Sequence, residues 1–216
     1  MTESERRLPW RRVPVIPVIV LRDVKTAVPL AHALLAGKVD VMEVTLRTRV
    51  AAEAIAAIRE EVPDMLVGAG TLLSPADTER AVLAGAQFLV SPGSTTSLRA
   101  SLRQSGLPAL PAVATVSEAM TALDDGFKAV KVFPARILGV DFIRSLASVL
   151  PHLAVCPTGG VDASSAAALL GLPSVACVGG SWLTPPDELD AGAFDQITRR
   201  AAETLALRTA LRPGPR

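Results

Sequence analysis

Glu43, Thr45 and Arg47 alternate with Met42, Val44 and Leu46 along one short run of the chain, and Lys131 stands between Val130 and Val132 in another. In an extended strand, successive side chains point to opposite faces. If the apolar set of each run meets a layer of helices, a carboxylate, a guanidinium and an amine turn together to the other face. Buried ions need partners and hydrogen bonds, or they neutralise. A lysine with an ordinary pKa of about 10.4 is uncharged in only about one molecule in 2,500 at pH 7. Apolar surroundings favour the neutral, nucleophilic amine, so Val130-Lys131-Val132-Phe133 is the local sequence expected of a lysine that forms a Schiff base. Carbinolamine formation, dehydration and carbon-carbon cleavage each move a proton, and Glu43 is the best-placed side chain to shuttle it. The plainer alternative is a structural Glu43–Lys131 ion pair.

The two histidines, His32 and His152, fall within a helix and at the start of a strand, on the wrong side of the fold for this chemistry. No cluster of histidines and carboxylates stands at strand ends. The sequence therefore predicts no metal site and no cofactor, and a covalent mechanism independent of both.

These side chains need strands to hold them. Runs rich in β-branched residues recur at 15–20, 39–46, 65–71, 86–91, 109–115, 129–133, 153–157 and 174–178, with helix-like segments between. Their starts lie roughly 20 to 25 residues apart, the length that a strand and a crossover helix consume together. Helix signals fill the gaps. Residues 51–61 carry apolar residues at helical spacing, Ser74-Pro75 reads as a cap followed by a first-turn proline, and Gly37, Gly85 and Gly171 close helices. Pro29 is tolerated if its helix begins near Thr26. Eight βα units predict an α/β fold, a single-domain (β/α)8 TIM barrel over residues 1–216, in preference to an open doubly wound sheet. The ends, about 1–12 and 212–216, are expected to fray. In such a barrel Glu43, Arg47 and Lys131 lie at the C-terminal strand ends, where barrel enzymes place their chemistry.

The last two strands end in Pro157-Thr158-Gly159-Gly160 and Gly179-Gly180-Ser181. Those are the loops where barrels often hold a phosphate through backbone N–H groups, and glycine lets the backbone approach an anion. Gly68-Ala69-Gly70-Thr71 and Ser91-Pro92-Gly93 end the third and fourth strands. Thr71 offers a hydroxyl to a carboxylate, and Pro92 with Gly93 offers a rigid, close wall; ordinary turn geometry accounts for these glycines equally well.

Composition narrows the classes further. The 22 basic and 21 acidic residues leave a net charge of +1 over 216 residues, and the chain contains no tyrosine. This argues against a nucleic-acid surface or an electrostatic membrane binder. No apolar run approaches the roughly 20 residues needed to span a bilayer. Residues 13–21, interrupted by Pro14 and Pro17, read as a first strand instead of a signal peptide. Cys156 and Cys177 are too few and too far apart for a disulfide framework and are expected as small buried hydrophobes, which points to a reducing cytoplasm.

Taken in order, Glu43-Val44-Thr45-Leu46-Arg47-Thr48, Gly68-Ala69-Gly70-Thr71, Ser91-Pro92-Gly93, Lys131 with Phe133-Pro134-Ala135, Pro157-Thr158-Gly159-Gly160 and Gly179-Gly180-Ser181-Trp182 resemble the 2-keto-3-deoxy-6-phosphogluconate / 4-hydroxy-2-oxoglutarate aldolase family. The resemblance runs from about residue 14 to 200. It implies a class I aldolase on a (β/α)8 barrel, a homotrimer, acting on a small-molecule 2-keto acid. Lys131 is then the Schiff-base nucleophile and Glu43 the general acid/base. Arg47 and Thr71, with Pro92 and Gly93 beside them, hold the substrate carboxylate, while Thr158, Gly159, Gly160, Gly179, Gly180 and Ser181 line its distal, phosphate-bearing end. Two positions depart from the family pattern. Arg136 replaces the usual glutamate after Phe133-Pro134-Ala135, and Ala112 replaces the usual glycine after Pro111. Arg136 either faces the mouth or is a solvated loop residue. The alternatives are a phosphate-binding barrel isomerase or epimerase using Glu43 as base, a ligand-binding barrel without catalysis, and the galactonate-epimer aldolase, whose second-strand motif departs from Leu46-Arg47-Thr48.

Overall fold

Short runs of β-branched residues flanked by amphipathic segments form parallel strands and the helices that cover them. A computed structural model describes residues 8–209. The strands are β1 (Val15–Ile19), β2 (Val41–Thr45), β3 (Leu66–Gly70), β4 (Leu89–Val90), β5 (Ala109–Leu110), β6 (Ala112–Val113), β7 (Ala129–Val132), β8 (Ala154–Pro157) and β9 (Val178–Gly180). The helices are α1 (Pro9–Arg12), α2 (Ala27–Ala36), α3 (Ala51–Glu61), α4 (Pro75–Leu83), α5 (Thr96–Gln104), α6 (Val116–Asp124), α7 (Ala135–Val149), α8 (Ala163–Leu170), α9 (Pro186–Asp190) and α10 (Phe194–Thr209). Every residue of β1 and β2 is buried, as expected when a parallel sheet is covered on both faces.

The six-stranded sheet, in the order β5-β4-β3-β2-β1-β9, curls into a half-barrel, and β6-β7-β8 form a second sheet. The expected strand at 109–115 is thus two strands, divided at Pro111. A proline has no N–H for the ladder, while its carbonyl still accepts from Lys131 N at 3.0 Å. The expected strand at 174–178 is displaced toward its C-terminal end: β9 begins at Val178 and pairs with β1 through Val178, Gly179 and Gly180. Against β8 it contributes only the bridges Val155↔Val175 and Thr158↔Gly179. One extra residue separates those two bridges on the second strand, which interrupts the ladder as a bulge does.

The helix signals fall where chemistry requires. Residues 51–61 coincide with α3; Ser74 accepts from Asp77 N, with Pro75 at the first helical position; and Gly37 and Gly171 cap α2 and α8. Pro29 lies in the first turn of α2. Within the stretch expected to fray, Pro9–Arg12 instead form a helical turn. Trp10 there is buried and Arg12 pairs with Asp40, so an aromatic anchor and an ion pair hold the entry to β1. Residues 1–7 and 212–216 of the expected frayed ends lie outside the described residues. Among the described residues no helix is long and apolar enough to cross a membrane.

Candidate active site

Strand alternation delivers the charged groups to one interior layer. In register, Val18 pairs with Glu43, Glu43 with Gly68, Ala112 with Lys131 and Lys131 with Cys156, and paired residues share a face of the sheet. Met42, Val44, Val130 and Val132 go to the other face and are fully buried. Lys131 and Glu43 are 4% and 3% exposed. Lys131 Nζ lies 3.9 Å from Glu43 Oε1 and 5.2 Å from the centre of the Phe133 ring, which offers an electron-rich face to a cation.

That carboxylate has been given room. A β-carbon at Gly70 would run into the Glu43 carboxylate, and one at Gly68 into the Phe88 ring. The glycines that end β3 therefore serve close approach. Glu43 Oε1 is buried and accepts no hydrogen bond from the protein. A hydroxyl beside the pair, about 2.8 Å from both atoms, would satisfy the oxygen and receive or give its proton.

A cavity of about 160 Å³ reaches Lys131 and is lined among others by Val18, Arg47, Phe133, Thr158, Gly159, Gly160, Gly179 and Ser181, while Glu43 and Thr71 stand behind Lys131 and Arg47, outside the lining. Arg47, at the end of β2, donates from Nε to Thr71 Oγ1 at 3.2 Å, which joins the two groups expected to hold a carboxylate. Thr71 adopts a φ of 60°, a left-handed conformation costly for a β-branched residue. Such strain accords with a positioned functional side chain. Gly159 and Gly160 have φ of 93° and 73°, which only glycine accepts freely, so this turn is built for its backbone.

Not every expected residue lines the cavity. Pro92 is half-buried and Gly93 exposed, both outside the lining, and Gly180 instead leaves space for the Trp182 ring. Arg136 is exposed on the first turn of α7, and its stem packs against Gly160 on the side of a neighbouring groove. Ala112 sits beside Lys131 in register and is buried. His32 and His152 are both exposed, away from the pair. No group of three or more metal-ligating side chains occurs among the described residues. Four lining residues had not been picked out from the sequence: Phe133, Val18, Val20 and Val161. Phe133 follows Lys131 by two positions, so strand alternation already puts it on the same face; the three valines carry no chemical signal of their own.

The fold is a parallel α/β one that carries at its strand ends a buried lysine–carboxylate pair, an Arg47–Thr71 hydrogen bond and a glycine turn. The family model for KDPG and KHG aldolase matches residues 8–200, and the chain belongs to that family. It is 46% identical over 193 residues to the KHG/KDPG aldolase of Escherichia coli K12, covering 89% of this chain and 91% of that one. Among solved structures, KDPG aldolase from Legionella pneumophila, with pyruvate captured as a covalent carbinolamine intermediate, superposes with a TM-score of 0.89. It is 40% identical and covers 91% of this chain and 96% of its own. The aldolase of Zymomonas mobilis ZM4 with 3-phosphoglycerate gives a TM-score of 0.88 at 42% identity, over 95% and 97% of the two chains.

Proposed function

We propose that this protein is a class I aldolase, an aldehyde-lyase that cleaves 2-keto-3-deoxy-6-phosphogluconate, and 4-hydroxy-2-oxoglutarate, to pyruvate and an aldehyde through a Schiff base on Lys131. The observation that carries the reading is the buried Lys131–Glu43 pair, 3.9 Å apart, in which Lys131 lines a cavity and the Glu43 carboxylate oxygen has no hydrogen-bond partner in the protein. A pair built only for stability would be closed by direct hydrogen bonds. Family membership and the pyruvate carbinolamine in the Legionella relative support the same reaction.

In this reading the uncharged Lys131 amine attacks the substrate's keto carbon. Glu43 passes protons, through a water or the substrate hydroxyl, so that the carbinolamine loses water and becomes an iminium. Glu43 then removes the C4 hydroxyl proton, and the C3–C4 bonding electrons flow into the iminium. The aldehyde leaves, and the remaining enamine takes a proton at C3 and is hydrolysed to pyruvate and free Lys131. Arg47 with Thr71 holds the carboxylate. Thr158, Gly159, Gly160, Gly179 and Ser181 surround the distal end, where backbone N–H groups of the glycine turn suit a phosphate.

The fold that serves this chemistry is proposed as one closed (β/α)8 barrel in one domain. The Thr158↔Gly179 bridge on one side and the Lys131 N to Pro111 O hydrogen bond on the other support closure between the two sheets. A cytoplasmic homotrimer completes the reading. Exposed apolar side chains such as Ile137 and Leu83, each 81% exposed, support assembly, and a sedimentation mass of one chain would refute it. The test of the reaction is borohydride reduction in the presence of pyruvate followed by peptide mass mapping. Pyruvate-derived mass on the Lys131 peptide is expected; none there overturns the proposal.

A further inference from the structure

Ser181, the first residue after β9, lines the cavity beside Gly179, and the chain there folds back on itself. Thr184 N donates to the Ser181 carbonyl at 3.2 Å, closing a turn over 181–184, and the Trp182 ring occupies the space that a β-carbon at Gly180 would need. A side chain from outside the site holds this turn. Arg200, on α10, donates from Nε to the Leu183 carbonyl at 3.2 Å, and its two terminal nitrogens donate to the two carboxylate oxygens of Glu188 on α9. We propose that Arg200, clamped by Glu188, is a positioning residue that fixes the Ser181–Thr184 turn for a substrate carrying a distal phosphate; the proposal rests on the aldolase reading and its assignment of Ser181 to that end.

The base of the clamp is rigid. Ile197 and Ala201 of α10 are fully buried, the Thr198 hydroxyl donates to the Ala33 carbonyl at 2.9 Å, and a β-carbon at Gly37 would strike Ala201. These contacts lock α10 onto α2, and Arg200 carries that fixity across to the turn. The turn itself has less to hold it. It has left the β1 ladder at Gly180, and α9, the five-residue helix that follows, has no side-chain cap. A binding group on a loop is placed accurately only when hydrogen bonds behind it lock the loop.

Arginine suits this task. Its planar fork serves two carboxylate oxygens and a carbonyl at once in fixed directions, which a lysine ammonium does not. Bidentate geometry and partial burial, with 26% and 25% of the two side chains exposed, set the pair apart from solvent-exposed ion pairs, which hold little. Arg200 does not line the cavity, so its effect on a phosphate passes through the turn. Recognition of an anion by backbone N–H groups and a hydroxyl depends on such placement, because a hydrogen bond weakens steeply as its angle drifts.

The test compares the full-length parent with Arg200→Gln and Glu188→Gln on 2-keto-3-deoxy-6-phosphogluconate and on 4-hydroxy-2-oxoglutarate, which lacks the phosphate. In Arg200→Gln, KM for the phosphorylated substrate is expected to rise about tenfold, the scale of one hydrogen bond to a charged group, with kcat and the other KM unchanged. Glu188→Gln is the decisive variant, and it keeps a hydrogen-bonding side chain should Arg200→Gln fail to fold. It is expected to raise the same KM by a smaller factor, because the clamp is loosened. A lowered KM would mean that Arg200 acts only as a distant cation, strengthened when its neighbouring anion is removed, and overturns the proposal. Equal losses on both substrates, the mark of a merely structural pair, or no change on either, overturn it too. Calorimetric titration with glycerol 3-phosphate needs no turnover. The parent is expected to bind it and both variants to bind it more weakly; equal affinity in all three, or a parent that does not bind it, overturns the proposal. Loss of pyruvate trapping in the parent would sink the aldolase reading while leaving the calorimetric comparison to report on the clamp.

Discussion

Two ion pairs among the described residues, one with a buried arginine and one buried on both sides, are built in opposite ways. Arg99, on α5 and 7% exposed, donates from Nε to Asp125 and from a terminal nitrogen to the Ser94 carbonyl; Arg103 also approaches Asp125. That guanidinium ties the loop after β4 to the C-terminal cap of α6 by direct hydrogen bonds to two fixed acceptors. Lys131 and Glu43 are more deeply buried, stand 3.9 Å apart, and leave a carboxylate oxygen without a donor. Desolvating two charges is offset only when geometry and further hydrogen bonds are good. The first pair meets that condition, and the second is left open beside a cavity. The lesson is that satisfaction, more than burial, separates a structural pair from a reactive one.

Lys131→Arg strains the comparison most. It keeps the cation and removes the nucleophile, so pyruvate trapping should vanish and kcat fall by about 10⁴ or more, roughly 5.5 kcal/mol of barrier. Appreciable turnover in this variant would return Lys131 to a structural role. Glu43→Gln should retain imine trapping while kcat falls about 10² to 10⁴, and unchanged turnover would refute the shuttle. Gly70→Ala pushes the carboxylate aside and is expected to cost about 10² in kcat, the scale of a displacement near 1 Å; wild-type rates would show that the carboxylate's position is not critical. On the structural pair, Asp125→Ala leaves Arg99 buried without its anion and should cost about 3 kcal/mol in urea unfolding. Arg99→Leu should cost less, because Asp125 keeps 30% of its side chain in water. Both should retain kcat, and a large kcat loss would blur the distinction.

The smallest effect concerns a third, exposed carboxylate. Asp162 caps α8, accepting from Ser165 N and Oγ and from Ser164 Oγ. Hydrogen bonds from the Ser165 backbone first, then from both serine hydroxyls, lower its pKa from 3.8 to about 2. A folded-state value below the unfolded one means the cap's contribution is complete above pH 3.8 and is lost as pH falls through about 2. A carboxyl NMR titration of Asp162 should show that low midpoint; one near 3.8 would dissolve the cap.

Much of this was legible in the residues. Alternation along Met42-Glu43-Val44-Thr45 and Val130-Lys131-Val132 predicted which side chains face inward, because a strand's period of two leaves little choice once one face is apolar. Ser74-Pro75 and residues 51–61 marked their helices through capping and periodicity. The strand at 174–178 was misplaced because buried apolar residues look alike whether or not they join a ladder, and the glycines that do pair with β1 carry no hydrophobic signal. Pro92 and Gly93 were expected at the cavity from their position after β4, yet fall outside its lining, since the exit direction of a loop is set by what packs beneath it.

By itself, then, the sequence determined most of the secondary elements, the inward turn of Glu43 and Lys131, and the glycine turn at Gly159 and Gly160, all consequences of local stereochemistry. Only the tertiary structure decided that Lys131 and Glu43 stop 3.9 Å apart, that Gly70 clears the space for that carboxylate, and that two distant cysteines meet. Those distances depend on how separate strands register and curl against one another, which no local pattern in the chain encodes.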